Sequence, residues 1–254
     1  MPAANCPECN GTGWKIVERE ELSGAAKCNC VDPVRSERII SEAEIPRLYS
    51  GASLDNFKLP ADNPIAYQQL QDVFMKVRGY AMKFPLTKEP GLLLVGEPGS
   101  GKTHLAVAAF RAILGKGFRG RFFDYQNLLD RIKAGYDQVS NLSDKDAYRD
   151  AMETDVLLLD DLGSNRVTDW VEDVVTAIIT YRANNHLALI ATTNLIDGDL
   201  GYVTHSKDPV TGKVDYGTTL TDRIGPRARS RLFEMCRIIR MPLIEDFRVR
   251  KQRT

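Results

Sequence analysis

Three short apolar runs dominate the hydrophobic pattern of this chain. They lie at residues 91–95, 156–159 and 187–191, and each is apolar at consecutive positions instead of at alternate ones. Such runs are typical of parallel strands that are buried on both faces. Helical stretches are predicted between and after them, at 102–115, 126–136 and 169–184. The pattern therefore predicts an α/β fold in which helices flank a parallel sheet.

A glycine-rich segment follows the first run and fits G-x-x-x-x-G-K-[ST] at every fixed position. Its residues are Gly96, Glu97, Pro98, Gly99, Ser100, Gly101, Lys102 and Thr103. The glycines let backbone N–H groups turn towards a polyphosphate, and the next helix adds its positive N-terminal end. Lys102 would contact the β- and γ-phosphates, and the Thr103 hydroxyl would bind Mg²⁺. A chance glycine-rich turn is the alternative, but the flanking strand and helix favour a nucleoside triphosphate site. His104 is a further candidate contact, with packing as its alternative role.

Polar residues also end the other two runs. Asp160 and Asp161 would lie at the carboxyl end of a central strand, where α/β proteins bind their ligands. Asp160 is the candidate for the Mg²⁺ shell, and Asp161 for orienting or deprotonating the attacking water. Alone, this pair would be explained as well by a helix N-cap. Asn194, after the third run, is the candidate γ-phosphate sensor, with a plain polar turn as the alternative.

Together these motifs resemble the AAA+ ATPases of the DnaC/DnaI/IstB-like group, which are helicase loaders and transposition helper ATPases. The resemblance rests on the phosphate loop, LLLDDLG at 157–163, IATTN at 190–194 and Ser230-Arg231-Leu232. Residues 45–57 also look like the segment that precedes the ATPase core in that group, so the similarity covers about residues 45–254. It implies an AAA+ P-loop NTPase core that hydrolyses ATP with Mg²⁺.

The resemblance also suggests roles for two arginines. In the family, the arginine of the S-R-[LF] box reaches the ATP of a neighbouring subunit, and Arg231 matches it. Arg248 lies in a stretch that resembles the C-terminal sensor segment and is the candidate for a contact to the γ-phosphate in cis. The region after residue 223 is basic, so a solvated lid or a surface that faces nucleic acid would show the same pattern. Arg182 could also act on a neighbouring subunit, but it is left out of the site because arginines on helix surfaces are common.

The first thirty residues contain two close cysteine pairs, Cys6 with Cys9 and Cys28 with Cys30. Four thiolates suit tetrahedral Zn²⁺, and a segment of about forty residues buries too little apolar surface to fold without a metal. Disulfides are the alternative, although no secretory segment precedes the cysteines. Some helicase loaders carry an N-terminal zinc module, which this small zinc-binding module resembles. The fifth cysteine, Cys236, is interpreted as a core residue.

A basic and aromatic patch is the candidate contact for single-stranded DNA. The formal net charge is zero, so such a contact has to come from a local patch or from assembly. In AAA+ initiators and loaders, an extra helix in this position lines a channel for single-stranded DNA. Arg131, Lys133 and Tyr136 are the residues that would contact it here. Phe122 and Tyr125, just before them, are as well explained as core.

Composition and length set the outline of the molecule. Hydrophobic residues make up 43% of the 254 positions, and no apolar run is long enough to span a membrane. We expect a cytoplasmic protein with a zinc-binding module and linker at 1–44 and an AAA+ ATPase domain at 45–254. An insertion at 198–217 departs from the family pattern, and alternation at 202–205 and 213–216 suggests a β-hairpin there.

The combined interpretation is an ATP-dependent loader of a hexameric replicative DNA helicase. Its partners would be that helicase, single-stranded DNA and further copies of itself, joined at ATP-bridged interfaces, with no membrane contact. A transposition helper ATPase is the first alternative, since it needs the same core and a transposase partner. A zinc-dependent nucleic-acid adaptor with a purely structural ATP site is disfavoured by Asp161 and Arg231. A small-molecule kinase is disfavoured because no acceptor-pocket motif is evident.

If the N-terminal cysteines share one ion, the purified chain should contain about one zinc per protomer. Chelation should release the zinc and remove the order of the N-terminal segment, because metal binding supplies its folding energy. Metal analysis and limited proteolysis with and without chelator measure this, and the ATPase core should survive the treatment. A metal-free N-terminal segment that stays folded would contradict the prediction.

Overall fold

The computed structural model describes residues 14–19, 22–27, 31–135, 142–195, 197, 206–207, 214–215 and 217–251. The strands are β1 (Trp14–Arg19), β2 (Leu22–Lys27), β3 (Gly91–Val95), β4 (Gly120–Asp124), β5 (Val156–Asp160), β6 (Ala188–Thr193), β7 (Ser206–Lys207), β8 (Val214–Asp215) and β9 (Cys236–Arg240). The helices are α1 (Val31–Glu42), α2 (Pro64–Lys83), α3 (Lys102–Leu114), α4 (Tyr125–Gly135), α5 (Leu142–Glu153), α6 (Asp169–Asn184), α7 (Leu220–Ile224), α8 (Pro226–Met235) and α9 (Phe247–Lys251), with a 3₁₀ turn at Arg47–Tyr49.

Five strands form one parallel sheet in the order β4-β5-β6-β3-β9. The predicted apolar runs are β3, β5 and β6, and the predicted helices are α3, α4 and α6, each with bounds within two residues. The α/β fold with a helix-flanked parallel sheet is thus confirmed. β9 was not among the predicted strands, whereas Cys236 was predicted as a core residue, and it is buried at the start of β9.

Both faces of the sheet are buried. Leu92 and Leu94 of β3 point into a cluster with α2 and α3, whereas Leu93 and Val95 point into a second cluster with α4, α6 and α8. Because successive strand residues face opposite sides, a strand covered on both faces has to be apolar at every position. This explains why the three runs show no alternation.

The end of the predicted N-terminal linker packs on this core. Ile39 and Ala43 are buried in the cluster with α2 and α3, and the backbone N–H of Phe122 donates to the carbonyl of Ala43 at 2.8 Å. Residues 36–44 therefore contribute to the stability of the ATPase core. The division of the chain at residue 44 stays a prediction.

Two small antiparallel pairs lie outside the main sheet. β1 pairs with β2, and the cysteine pairs on either side of them lie outside the described residues. β7 pairs with β8 through Ser206 with Asp215 and Lys207 with Val214. The predicted arm 213–216 contains β8, whereas the arm predicted at 202–205 lies outside the described residues and directly precedes β7.

Arg182 on α6 is completely buried, which corrects its interpretation as a helix-surface arginine. Its guanidinium donates to the carbonyl oxygens of Ala151 (2.9 Å), Met152 (3.1 Å), Thr154 (2.9 Å), Asp155 (3.5 Å) and Ala188 (2.6 Å). These carbonyls belong to the end of α5, to the two residues that connect it to β5, and to the start of β6. Burial lowers the pKa of Arg182 to about 9, so the side chain stays charged at neutral pH and holds the three elements together.

Replacing Arg182 with methionine should cost at least about 3 kcal/mol of unfolding free energy, because buried carbonyls without a partner cost about 1–3 kcal/mol each. Urea unfolding measures the loss. Arg149→Met is the matched control, since Arg149 lies on α5 with 62% of its side chain exposed and pairs with Asp146. It should change the free energy of unfolding by no more than about 0.5 kcal/mol. Equal losses in both variants would contradict the stabilising role of the hydrogen bonds from Arg182 to the five carbonyl oxygens.

Candidate nucleotide site

The carboxyl ends of three neighbouring strands carry the candidate site. β6 lies between β3 and β5. The loop after β3, the acid pair at the end of β5 and Asn194 after β6 therefore meet at one edge of the sheet. Ligands of parallel α/β sheets bind at this edge. The structure thus brings together the phosphate loop, the acid pair and Asn194, whereas Arg231 lies elsewhere, on α8.

The phosphate loop spans residues 96–101 between β3 and α3. Gly99 and Gly101 have φ angles of 73° and 93°, a left-handed conformation that favours glycine. The Glu97 carbonyl accepts hydrogen bonds from Ser100 Oγ and from Lys102 Nζ, both at 2.8 Å. These bonds fold the loop over the start of α3.

Lys102 supplies the positive charge of the loop and is itself buried. Burial lowers the pKa of its ammonium group, while the carboxylates of Asp161 and Asp160 act in the opposite direction. The guanidinium of Arg248 lowers the pKa further, so the two cations lie within electrostatic reach of each other. A polyphosphate between them would relieve this repulsion.

Asp160 is the centre of a hydroxyl network. Its Oδ1 atom accepts from Thr103 Oγ1 at 2.9 Å and from Thr192 Oγ1 at 2.6 Å. Burial raises the pKa of the Asp160 carboxyl, and the two hydroxyl hydrogen bonds oppose that change. A carboxylate next to a threonine hydroxyl is the oxygen donor set that Mg²⁺ prefers, so Asp160 and Thr103 fit the ion.

Asp161 and Asn194 face each other beside this network. Asn194 Nδ2 donates to Asp161 Oδ1 at 3.3 Å, and Asn194 is exposed. Asp161 has a φ of 55°, which is strained for a residue other than glycine. Residues 161–163 form a turn, not the helix start that was the alternative for the acid pair.

Thr192 is the site residue that sequence analysis missed as a separate contributor. Its hydroxyl donates to Asp160 and accepts from the backbone N–H of Asp161 at 3.0 Å. It thereby holds both acids from the neighbouring strand. In the sequence it is one of two threonines before Asn194, and only the pairing of β5 with β6 shows which of them faces the acids.

His104 packs beside the loop. Its Nε2 atom lies 3.3 Å from the carbonyl oxygen of Ser53, and its ring lies 5.5 Å from the Phe57 ring, centroid to centroid. Burial lowers the pKa of His104. These contacts connect the segment before α2 to the start of α3 and favour the packing role over a phosphate contact.

The C-terminal segment 246–248 also contacts the phosphate loop. Phe247 N donates to the Gly99 carbonyl at 3.2 Å, and the Asp246 carboxyl lies so close that a Cβ on Gly99 would sit 2.0 Å from it. Asp246 also accepts from the backbone N–H of Arg248 at 2.7 Å. This packing brings the backbone of the segment that carries Arg248 against the phosphate loop.

The remaining predicted site residues lie away from this cluster or outside the described residues. Arg231 is exposed on α8 and pairs with Glu234 at 2.7 Å. Arg131 pairs with Glu44 at 2.9 Å and lies over the Phe123 ring, whereas Lys133 is exposed on α4. Tyr136 and the four N-terminal cysteines lie outside the described residues, and among the described ones no group of three His, Cys, Asp or Glu could hold a metal ion. The DNA and zinc assignments stay predictions.

Comparison with known families agrees with this geometry. The model of a family described as IstB-like ATP binding protein matches residues 72–212, which is more than half of the chain. The chain belongs to this family. The matched region includes the phosphate loop, the acid pair and Asn194, and it ends before Arg231. ATP binding in an AAA+ type core is therefore a property of the family to which the chain belongs.

Individual relatives point to replication proteins. A crystal structure of the DnaC helicase loader is 32% identical, with a TM-score of 0.60, and the match covers 78% of this chain and all of that one. The phage-like element PBSX protein XkdC of Bacillus subtilis is 24% identical over 207 residues, covering 75% of this chain and 72% of XkdC. The replicative helicase loader DnaC of Buchnera aphidicola (Acyrthosiphon pisum) is 22% identical over 162 residues, covering 64% of this chain and 63% of its own length. Every helix in the described residues is too short or too polar to cross a membrane.

Replacing Thr192 with valine should lower the kcat of ATP hydrolysis at least about tenfold while ATP still binds. The change leaves the Asp161 N–H without its acceptor and Asp160 without its shortest hydrogen bond, so both acids lose their positions. Thr192→Ser retains the hydroxyl and should retain most activity. Asp161→Asn, which should bind ATP with almost no turnover, serves as the reference. A valine variant with full kcat, or one that has lost ATP binding altogether, would contradict the role of Thr192.

Proposed function

We propose that this chain is an ATP-dependent loader of a hexameric replicative DNA helicase, acting on single-stranded DNA during replication. One observation carries the proposal. Lys102, Thr103, Asp160, Asp161 and Asn194 converge at one edge of the sheet, in a chain that is 32% identical to the DnaC helicase loader.

Each residue at this edge has a defined part in the proposed hydrolysis of ATP. The loop N–H groups and Lys102 bind the β- and γ-phosphates. Asp160 and Thr103 hold Mg²⁺, which when bound withdraws charge from the transferred phosphoryl group. Asp161 orients the attacking water and accepts its proton, and Asn194 holds both that water and the γ-phosphate. Arg248 adds positive charge in cis.

Completion of the site in trans is the second part of the proposal. Arg231 is exposed on α8, with 47% of its side chain accessible, so it is free to reach outward from its own protomer. Its pair with Glu234 is a surface contact that contributes little to stability and gives way easily. In an ATP-bridged assembly Arg231 would contact the γ-phosphate bound by the adjacent subunit and stabilise the transition state. Lys133 on α4, with Arg131 and Tyr136, would face the single-stranded DNA.

A transposition helper ATPase is the second candidate function. The observation that favours it is the match to the family described as IstB-like ATP binding protein. Both functions need the same nucleotide site and differ in the protein that the switch controls.

The full chain, purified with ATP and Mg²⁺, should form a complex with the replicative helicase of its own genome. Size-exclusion chromatography measures the complex, and helicase transfer onto a closed single-stranded circle measures loading. Lys102→Ala is the control that separates ATP-dependent from ATP-independent association. Absence of a helicase complex with and without ATP, together with binding to a transposase, would replace the first function with the second.

Arg231→Ala should bind ATP with normal affinity but hydrolyse it at least about 10³-fold more slowly, because a trans arginine acts on the transition state. Mixing it with Lys102→Ala should restore activity, since some junctions would then combine an intact loop with an intact arginine. Steady-state hydrolysis across mixing ratios measures this. No recovery at any ratio, in assemblies shown to be intact, would contradict a shared site.

A further inference from the structure

A partly buried ion pair connects the segment after β6 to the helix that carries Arg231. Asp197 lies three residues after Asn194, and its side chain is only 5% exposed. Its Oδ1 accepts from Arg229 Nη2 at 2.7 Å and its Oδ2 from Arg229 Nε at 3.0 Å. Thr221 Oγ1 adds a third hydrogen bond at 3.2 Å. Both α7 and α8 are thus attached to the segment that follows the γ-phosphate sensor.

The pair constrains how α8 is rotated about its axis. The helix packs on the core through Ala228, Leu232 and Met235, with Phe233 partly buried beside them, and such apolar contacts are not directional. A bidentate guanidinium–carboxylate pair has a fixed planar geometry and tolerates little rotation. The Arg229 guanidinium also lies over the Phe233 ring, 4.1 Å from its centroid, which fixes it further.

This rotation decides where Arg231 points. Two residues along an α-helix correspond to roughly 200° about the axis. With Arg229 directed inward to Asp197, Arg231 is therefore directed outward, in agreement with its exposure. The junction before the helix is equally constrained, because Gly225 has a φ of 78° and a Cβ there would lie 2.3 Å from the Glu172 carboxyl.

The segment that leads from β6 to Asp197 also contacts the nucleotide site of its own protomer. Between Asn194 and Asp197, the backbone N–H of Leu195 donates to Thr193 Oγ1 at 3.1 Å, and this hydroxyl donates to the Leu162 carbonyl at 2.8 Å. Thr193, next to Asn194, is therefore tied to the turn that contains Asp161, and Asp197 is tied to α8.

We propose that Asp197, through its bidentate pair with Arg229, is the positioning residue that holds Arg231 towards the neighbouring subunit and couples it to the Asn194 end of β6. The inference rests on the trans role of Arg231 given under the proposed function. Asp197 touches neither nucleotide nor water in this scheme and acts only by orienting α8.

Asp197→Asn in the full chain tests the proposal, since it keeps the size of the side chain and removes its charge. It should bind ATP within about twofold of wild type, with KM unchanged and kcat about 10- to 100-fold lower, because a small misplacement of a catalytic group has effects of this size. Arg229→Lys keeps the charge but loses the bidentate geometry, and it should show the same split. Arg227→Lys is the matched control, since Arg227 is exposed on the same helix, and it should keep wild-type kcat.

The mixing pattern separates a positioning role from a merely structural one. Asp197→Asn mixed with Lys102→Ala should recover activity, because the Lys102→Ala protomers present a correctly held Arg231. Mixed with Arg231→Ala it should not recover, because neither protomer then does. The reverse pattern would place the defect in the nucleotide site of the variant protomer and overturn the proposal.

The activities of the single variants also test the role of Asp197. Wild-type kcat in Asp197→Asn, with Arg231→Ala inactive, overturns this inference alone. A fully active Arg231→Ala overturns both the trans role and the inference. If Asp197→Asn does not fold, as judged by circular dichroism, Arg229→Lys decides by the same mixing pattern.

Discussion

The structure depends on the parallel pairing of β5, β6 and β3, with both faces of the sheet covered. This pairing aligns three strand ends at one edge, so that groups about sixty residues apart in sequence, such as Thr103 and Asp160, come within hydrogen-bond distance. The apolar runs supply the burial that stabilises the sheet, and the polar tips are the positions where that burial ends. Stability and site geometry therefore have the same origin.

The site lowers the stability of the fold, because it buries charged groups. Lys102 and Asp160 are both buried, and burial moves the pKa of each group towards its uncharged form. Thr103 and Thr192 offset part of this cost for Asp160. A bound polyphosphate and cation would offset more, which gives a physical reason for the ligand to stabilise the protein. The positive φ of Asp161 adds local strain at the same point.

Two arginines organise the regions around the site. Arg182 holds the amino ends of β5 and β6 through carbonyl oxygens, whereas Arg229 holds the segment after β6 through a carboxylate. Arg182 therefore acts at the end of the strands opposite the site, and Arg229 acts at the same end as the site. The second connection matters more for function, because it reaches the helix that presents Arg231.

Local sequence determined the central strands and the phosphate loop of this protein. Consecutive apolar positions predicted β3, β5 and β6, and the glycine pattern predicted the loop before α3, because strand burial and the turn around a phosphate each need particular residues at adjacent positions. Only the tertiary structure showed that Arg182 is buried, that Thr192 holds both acids and that Asp197 pairs with Arg229. Each of these depends on carbonyls, hydroxyls or charges supplied by a different strand or helix, and a residue type alone does not reveal the partner that the fold places beside it.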